Sequence, residues 1–275
     1  MINALDCEYN DIYVHIDKKV TGLEFKELYR CVQISTLNVY QEIDVRWGGY
    51  SQVEVELFLL KNAISGNYVY YHLMSGSDLP IKNQKYIYNY FQENNGVEYV
   101  DFDKNILSEK IEIRIKYYYI FTDWKRSKNK IIRILKKSTL FTFIYLQKIL
   151  NFKNLNEKQI YKKGSQWFSI THKCALFVLK NEDRIEHIYK YGCCVDEIFL
   201  QTLIYNSKFY KQIYSTNEKY NLAMRYIDWN HGEPYVFRKT DFRRLQNSKA
   251  LFARKFDENI DDEIIDLICQ YIEVE

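Results

Sequence analysis

The segment DIYVHID at residues 11–17 is a β-branched and aromatic run closed by polar residues. Such a run reads as a buried strand, here one that delivers His15 and Asp17 to its carboxyl end. The turn-like WGGY at 47–50 leads into SQVEVELFLLKNA at 51–63, apolar at helical spacing. YVYYHLM at 68–74 is a second strand, and it runs straight into SGSDLP at 75–80. Strand, helix, strand, with small polar residues where strands end, is the rhythm of a mostly parallel sheet flanked by helices. Ligands of such a sheet gather outside the carboxyl ends of its strands.

The rest of the chain continues in that manner. A helix is predicted over 81–91, a short strand near 97–102, and a strand at 167–171 followed by a helix over 172–179. A further helix covers 196–205, a strand lies near 225–229, and a helical tail over 261–272 closes the chain. With no internal repeat and no linker, residues 1–275 read as one domain carrying an insertion near 115–160. The 9 Gly, 2 Pro and 47% hydrophobic residues exclude collagen-like, low-complexity and disordered classes. A net charge of +3 is too small a field to make nucleic acid the main partner. Six cysteines without paired spacing give neither a zinc ribbon nor a disulfide scaffold, and a reducing cytoplasm is the expected compartment. No signal-peptide pattern and no apolar run of about 18 residues is present.

Several chemistries lose their footing at once. The chain holds no G-x-G-x-x-G, no P-loop and no G-x-S-x-G elbow. Asp101-Phe102-Asp103 is a D-x-D, which could hold a divalent cation against a diphosphate or be a solvated loop. LFARKFD at 251–257 sets Arg254 and Lys255 between Phe252 and Phe256. A fork and a point charge there suit an anion such as a diphosphate; an ion pair with the 261–272 helix accounts for them equally. Asp196 and Glu197 open a helix in CVDEIFL, either as ordinary first-turn acids or with Glu197 as a general base. Residues 125–137, KRSKNKIIRILKK, carry seven basic side chains and no acid, and the apolar STLFTFIYLQKIL follows at 138–150. Two readings stand: a solvated basic face leading into a core helix, or an interfacial helix touching an anionic membrane.

Taken in order, VHIDKK at 14–19, RWGGYSQVEVELFLLKNA at 46–63, YYHLMSGSDLPIK at 70–82, GSQWFSIT at 164–171, DEIFLQTLIYNS at 196–207 and LFARKFD resemble the core-2/I-branching enzyme family. That family includes β-1,6-N-acetylglucosaminyltransferases and peptide O-xylosyltransferases. The resemblance implies a GT-A-type glycosyltransferase fold and an inverting, metal-independent transfer from a UDP-sugar to a glycan or lipid-linked glycan, with no cofactor. It implies Glu197 as catalytic base and Arg254 and Lys255 at the diphosphate. His15 and Asp17 fall in the uridine region, and Ser75, Ser77 and Asp78 fall where other GT-A enzymes carry the metal-binding D-x-D. Gly164, Ser165 and Trp167 fall by the donor sugar and acceptor, and Trp229 on the acceptor side. It also implies an apolar strand ahead of residues 2–6, which is expected to be missing because nothing here precedes Met1. The basic insertion does not map onto the animal members, so a bacterial branch is the expectation.

Two other functions compete with a transferase of this kind. One is a non-catalytic carbohydrate-binding protein that kept the fold. The other is a metal-dependent transferase built on Asp101 and Asp103. The expected location is cytoplasmic, with a peripheral hold on the inner membrane face in the interfacial-helix reading.

Overall fold

The computed structural model describes residues 1–103, 108–120, 130–152, 159–215, 222–230 and 233–274. The valine and isoleucine runs become strands where the sequence places them, but the strands are short and their partners were not legible. β1 (Ile12–His15) pairs in parallel with β2 (Leu37–Tyr40), His15 standing opposite Tyr40 at the carboxyl end. β3 (Tyr70–His72) runs antiparallel to β6 (Phe168–Thr171), and β5 (Tyr99–Val100) lies antiparallel on the other side of β6. In a third sheet, β8 (Phe252–Arg254) is central, antiparallel to β4 (Asp78–Pro80) and parallel to β7 (Arg225–Ile227).

The expected mostly parallel sheet is therefore corrected to three small sheets among the described residues: a parallel pair, an antiparallel sheet of three strands and a mixed sheet of three. The cause is the connections. The turn at 73–77 takes the chain out of β3 directly into β4, which belongs to another sheet, and β6 returns to β3 in the opposite direction. Alternation shows that a segment is extended and which side is buried; it does not fix partner or direction.

Buried Arg225 ties two of these sheets together. From β7 its Nη1 donates to Ser169 Oγ at 2.7 Å, and its Nη2 donates to the carbonyls of Leu73 at 3.1 Å and Phe168 at 2.9 Å. Its guanidinium also lies 4.5 Å from the Phe252 ring. Between the free edges of β1 and β3 lies a cavity of about 490 Å³, lined among others by Ile12, Tyr13, Val14, Tyr70, Tyr71 and His72.

Helices supply the core. Val53, Leu57 and Leu60 of the helix Ser51–Ala63 pack with Phe168 and Ile170 of β6 and with Val178 of the helix His172–Lys180. Each side chain of this size contributes about 1.5–3 kcal/mol when fully buried. Thr171 ends β6 and caps the next helix, its Oγ1 accepting from the Cys174 amide at 3.2 Å. A second core lies under β4 and β8, where Leu79, Ala253 and Phe237 meet Ile264 and Ile268 of the helix Glu263–Val274.

Candidate functional site

Glu197 sits on the 3₁₀ turn Val195–Glu197, just ahead of the helix Phe199–Tyr205, rather than inside one continuous helix from 196. Two cations engage its Oε2: Arg114 through Nη1 at 3.2 Å, and Lys163 through Nζ at 3.2 Å. Both contacts use the same oxygen, so among the described residues Oε1 is left to accept from a ligand. The side chain is 35% exposed, so it can be reached from solvent. Arg114 comes from the helix Ser108–Lys116 and is anchored by its Nε donating to the Cys193 carbonyl at 3.1 Å.

Asp196, next in the chain, is buried, and its Oδ2 accepts from Gln52 Nε2 at 3.0 Å. Burial, with the neighbouring Glu197 and Cys194 adding to it, pushes its carboxyl up to about 7. Buried Glu56, one turn after Gln52, is pushed well above the carboxylate range by burial and by Asp196. A carboxyl whose folded pKa exceeds its unfolded one favours the folded state while protonated, and that gain is lost as pH rises through about 7. Thermal melts should thus fall between pH 5 and pH 8. Asp196→Asn should flatten that fall and raise the melting temperature at pH 8. An unchanged pH slope in the variant would remove Asp196 as its source.

Gly164 explains how the turn is held. Its amide donates to the Glu197 carbonyl at 3.0 Å, and the preceding Lys163 carbonyl accepts from the Asp103 amide at 2.7 Å. A Cβ on Gly164 would stand 1.8 Å from the Asp101 carbonyl oxygen, so no other residue fits without moving backbone. Asp101 is part of the same scaffold, its Oδ2 accepting from the Ser165 amide at 3.3 Å and its Oδ1 from the Leu222 amide at 3.5 Å. Gly164→Ala should cost about 1–3 kcal/mol through overpacking and lower turnover by displacing Lys163, while leaving a folded protein. Circular dichroism with initial rates checks it; wild-type rates in the variant would contradict the close approach.

The basic pair lies at the other end of this segment. Arg254 closes β8 opposite Asp78 of β4, and its Nη1 donates to Asp78 Oδ1 at 2.8 Å and to Ser75 Oγ. The equal alternative of an ion pair with the 261–272 helix is thus corrected: the acid is Asp78, 2% exposed, which also accepts from the Ser75 amide at 2.7 Å. The guanidinium is stacked 4.5 Å from the ring of buried Trp167. Trp167 Nε1 has no partner among the described residues, and Lys255 Nζ forms no ion pair there. Ser77 touches the same region through its carbonyl, which accepts from the Phe256 amide at 2.9 Å. A cavity of about 400 Å³ is lined by Ser77, Asp78 and residues 256–259.

His15 and Asp17 form a third group. The Ile43 amide donates to His15 Nε2 at 3.0 Å, and burial holds the imidazole below its ordinary pKa. Asp17 Oδ1 accepts from the amides of Lys19 at 3.1 Å and Val45 at 3.3 Å. Burial raises its pKa, but these bonds and the Lys19 ammonium outweigh it and leave the carboxyl below its usual range. Both residues thus shape the 41–46 loop, which continues into Gly48 and Gln52. The Cys194 amide donates to the Gly48 carbonyl at 2.8 Å. At φ 75°, Gly48 takes a left-handed conformation that favours glycine. Trp229 is half exposed, two residues past β7, whose Ile227 stands beside Arg254.

Sequence reasoning missed Arg114, Lys163 and Gln52. Lys163 abuts the GSQW block, an adjacency that could have flagged it. Arg114 offered no signal, because a basic residue near the end of an amphipathic helix is ordinarily solvated.

The segment from Lys163 to Trp167 thus touches a partly exposed carboxylate, Glu197, at one end and Arg254 at the other. Residues 4–249 match the family model of the Core-2/I-branching enzyme, and the chain belongs to that family of glycosyltransferases, whose fold is of the GT-A type. The matched span covers Glu197, Gly164 and Asp78 and stops short of Arg254 and Lys255. No curated protein matches the chain.

Proposed function

We propose that the chain is an inverting glycosyltransferase that moves a sugar, GlcNAc or xylose, from a UDP-sugar to a hydroxyl of a glycan without a metal. Glu197 Oε1 takes the proton from the acceptor hydroxyl as that oxygen attacks the anomeric carbon from the face opposite UDP. The bond from the anomeric carbon to the phosphate oxygen breaks with its electron pair going to UDP, and the configuration inverts. Lys255 and Arg254 meet the charge that develops on the departing diphosphate. Ser75, Ser77 and Asp78 line that end, with Asp78 serving to hold Arg254. His15 and Asp17 order the loop beside the uridine. Gly164, Ser165 and Trp167 lie along the donor sugar, and Trp229 offers an aromatic face to the acceptor.

The observation that supports this reading is the segment running from Lys163 to Trp167. Its first residue grips Glu197 and its last stacks on Arg254. Four residue steps of extended chain span at most about 14 Å, a distance a sugar and its diphosphate can bridge. The test is release of UDP from UDP-GlcNAc, UDP-xylose, UDP-Gal and UDP-Glc, with and without chelator. Release from UDP-GlcNAc or UDP-xylose that ignores the chelator is expected. No release together with no UDP binding would favour a carbohydrate-binding protein, and strict Mn²⁺ dependence would favour Asp101 and Asp103 as ligands.

A further inference from the structure

The helix Lys130–Ile149 is fastened to the molecule by its inner face. Gln147, 4% exposed, accepts from the Tyr118 amide at 2.9 Å and donates to the Tyr118 carbonyl at 3.1 Å, a two-bond clasp that fixes the rotation of the helix. With that face turned inward, Ile134, Leu135, Phe141, Tyr145, Leu146 and Ile149 are left in water, from 48% exposed at Leu146 to 74% at Phe141. Residues 134, 141, 145 and 149 share one line along the helix, and 135 and 146 lie beside it. An apolar strip of that extent on a water-exposed helix marks an interaction surface.

Charge says what kind of surface. Residues 124–156 contain no Asp or Glu, while 125–137 contain seven Lys or Arg. Lysine is depleted from protein–protein interfaces, whereas an apolar helical face with a dense, acid-free basic flank suits a surface of anionic lipid. Among the described residues no helix is long and apolar enough to cross a membrane. We propose that the outer face of Lys130–Ile149 docks on an anionic membrane, the exposed apolar side chains entering the headgroup boundary and the positive charge of the 125–137 sequence drawing the chain to lipid phosphates. The docking surface contains none of the residues assigned to sugar transfer.

The test is sedimentation of the full chain with vesicles of phosphatidylcholine alone or containing about 30% phosphatidylglycerol. Binding to the anionic vesicles should be at least about tenfold tighter than to the neutral ones at low salt, and should fall at least tenfold at about 0.5 M salt. Phe141→Asp with Ile149→Asp should weaken it about tenfold, with UDP binding unchanged as the check on folding. Should that variant misfold, Lys136→Glu with Lys137→Glu should produce the same loss through charge alone. Equal binding to both vesicle types, no binding at low salt, or a salt-insensitive dimer that buries the strip would each overturn the proposal.

Discussion

Glu197→Gln should lower kcat by about two to four orders of magnitude while leaving UDP affinity nearly unchanged. The amide keeps the shape of the carboxylate and an oxygen for Arg114 and Lys163, but it cannot take a proton. The two cations sit on Oε2 at 3.2 Å each and are partly exposed, so losing their counter-charge is screened and the turn should hold. Arg114→Met is the control, since it keeps the base and removes one of its anchors; it should cost turnover less than Glu197→Gln. Initial-rate kinetics with a UDP-binding isotherm read both variants. If Glu197→Gln kept more than about a tenth of wild-type turnover, Glu197 would not be the base.

Arg254→Ala and Lys255→Ala should both weaken UDP binding, yet only the first should unsettle the fold. Arg254 is the partner of buried Asp78 at 2.8 Å, and truncating it leaves a carboxylate at 2% exposure without the cation that is bonded to it. Breaking a buried pair of this kind costs about 3–5 kcal/mol. Lys255 forms no ion pair among the described residues, so its removal should cost only the charge-assisted contact to UDP, about 1.5–3 kcal/mol, or roughly ten- to a hundredfold in affinity. Combining Asp78→Asn with Arg254→Ala should recover much of the stability and none of the affinity. Calorimetric melts and UDP titrations separate these effects. Equal destabilisation by the two alanine variants, or unchanged UDP affinity in both, would contradict the assigned roles.

The sequence was most legible where one segment carries its own signal. The helices Ser51–Ala63 and His172–Lys180 and strands β1, β3 and β6 follow from apolar spacing and from polar residues at their ends. β2 was missed because LNVY is too short to show a period. The helix that begins at Phe199 was legible, but not the separate turn that holds Glu197 ahead of it, which depends on Gly164 and Asp101 packing behind it. The sequence left Asp101 open as a metal ligand or a loop residue; its packing role, with its oxygens accepting from the Ser165 and Leu222 amides, depends on segments far along the chain and was not legible. Arg114 reaches Glu197 across 83 positions of sequence, and Asp78 reaches Arg254 across 176. Partnerships of that span are set by strand pairing and packing, which local patterns do not encode.

Central to the account is a single displacement in which Glu197 deprotonates the acceptor and the basic pair, rather than a metal, receives UDP. The anomeric configuration of the glycoside formed from an α-linked UDP-sugar in excess chelator tests both parts at once by proton NMR. A β-linked product at undiminished rate is predicted. An α-linked product, or product only when a divalent cation is restored, would contradict it.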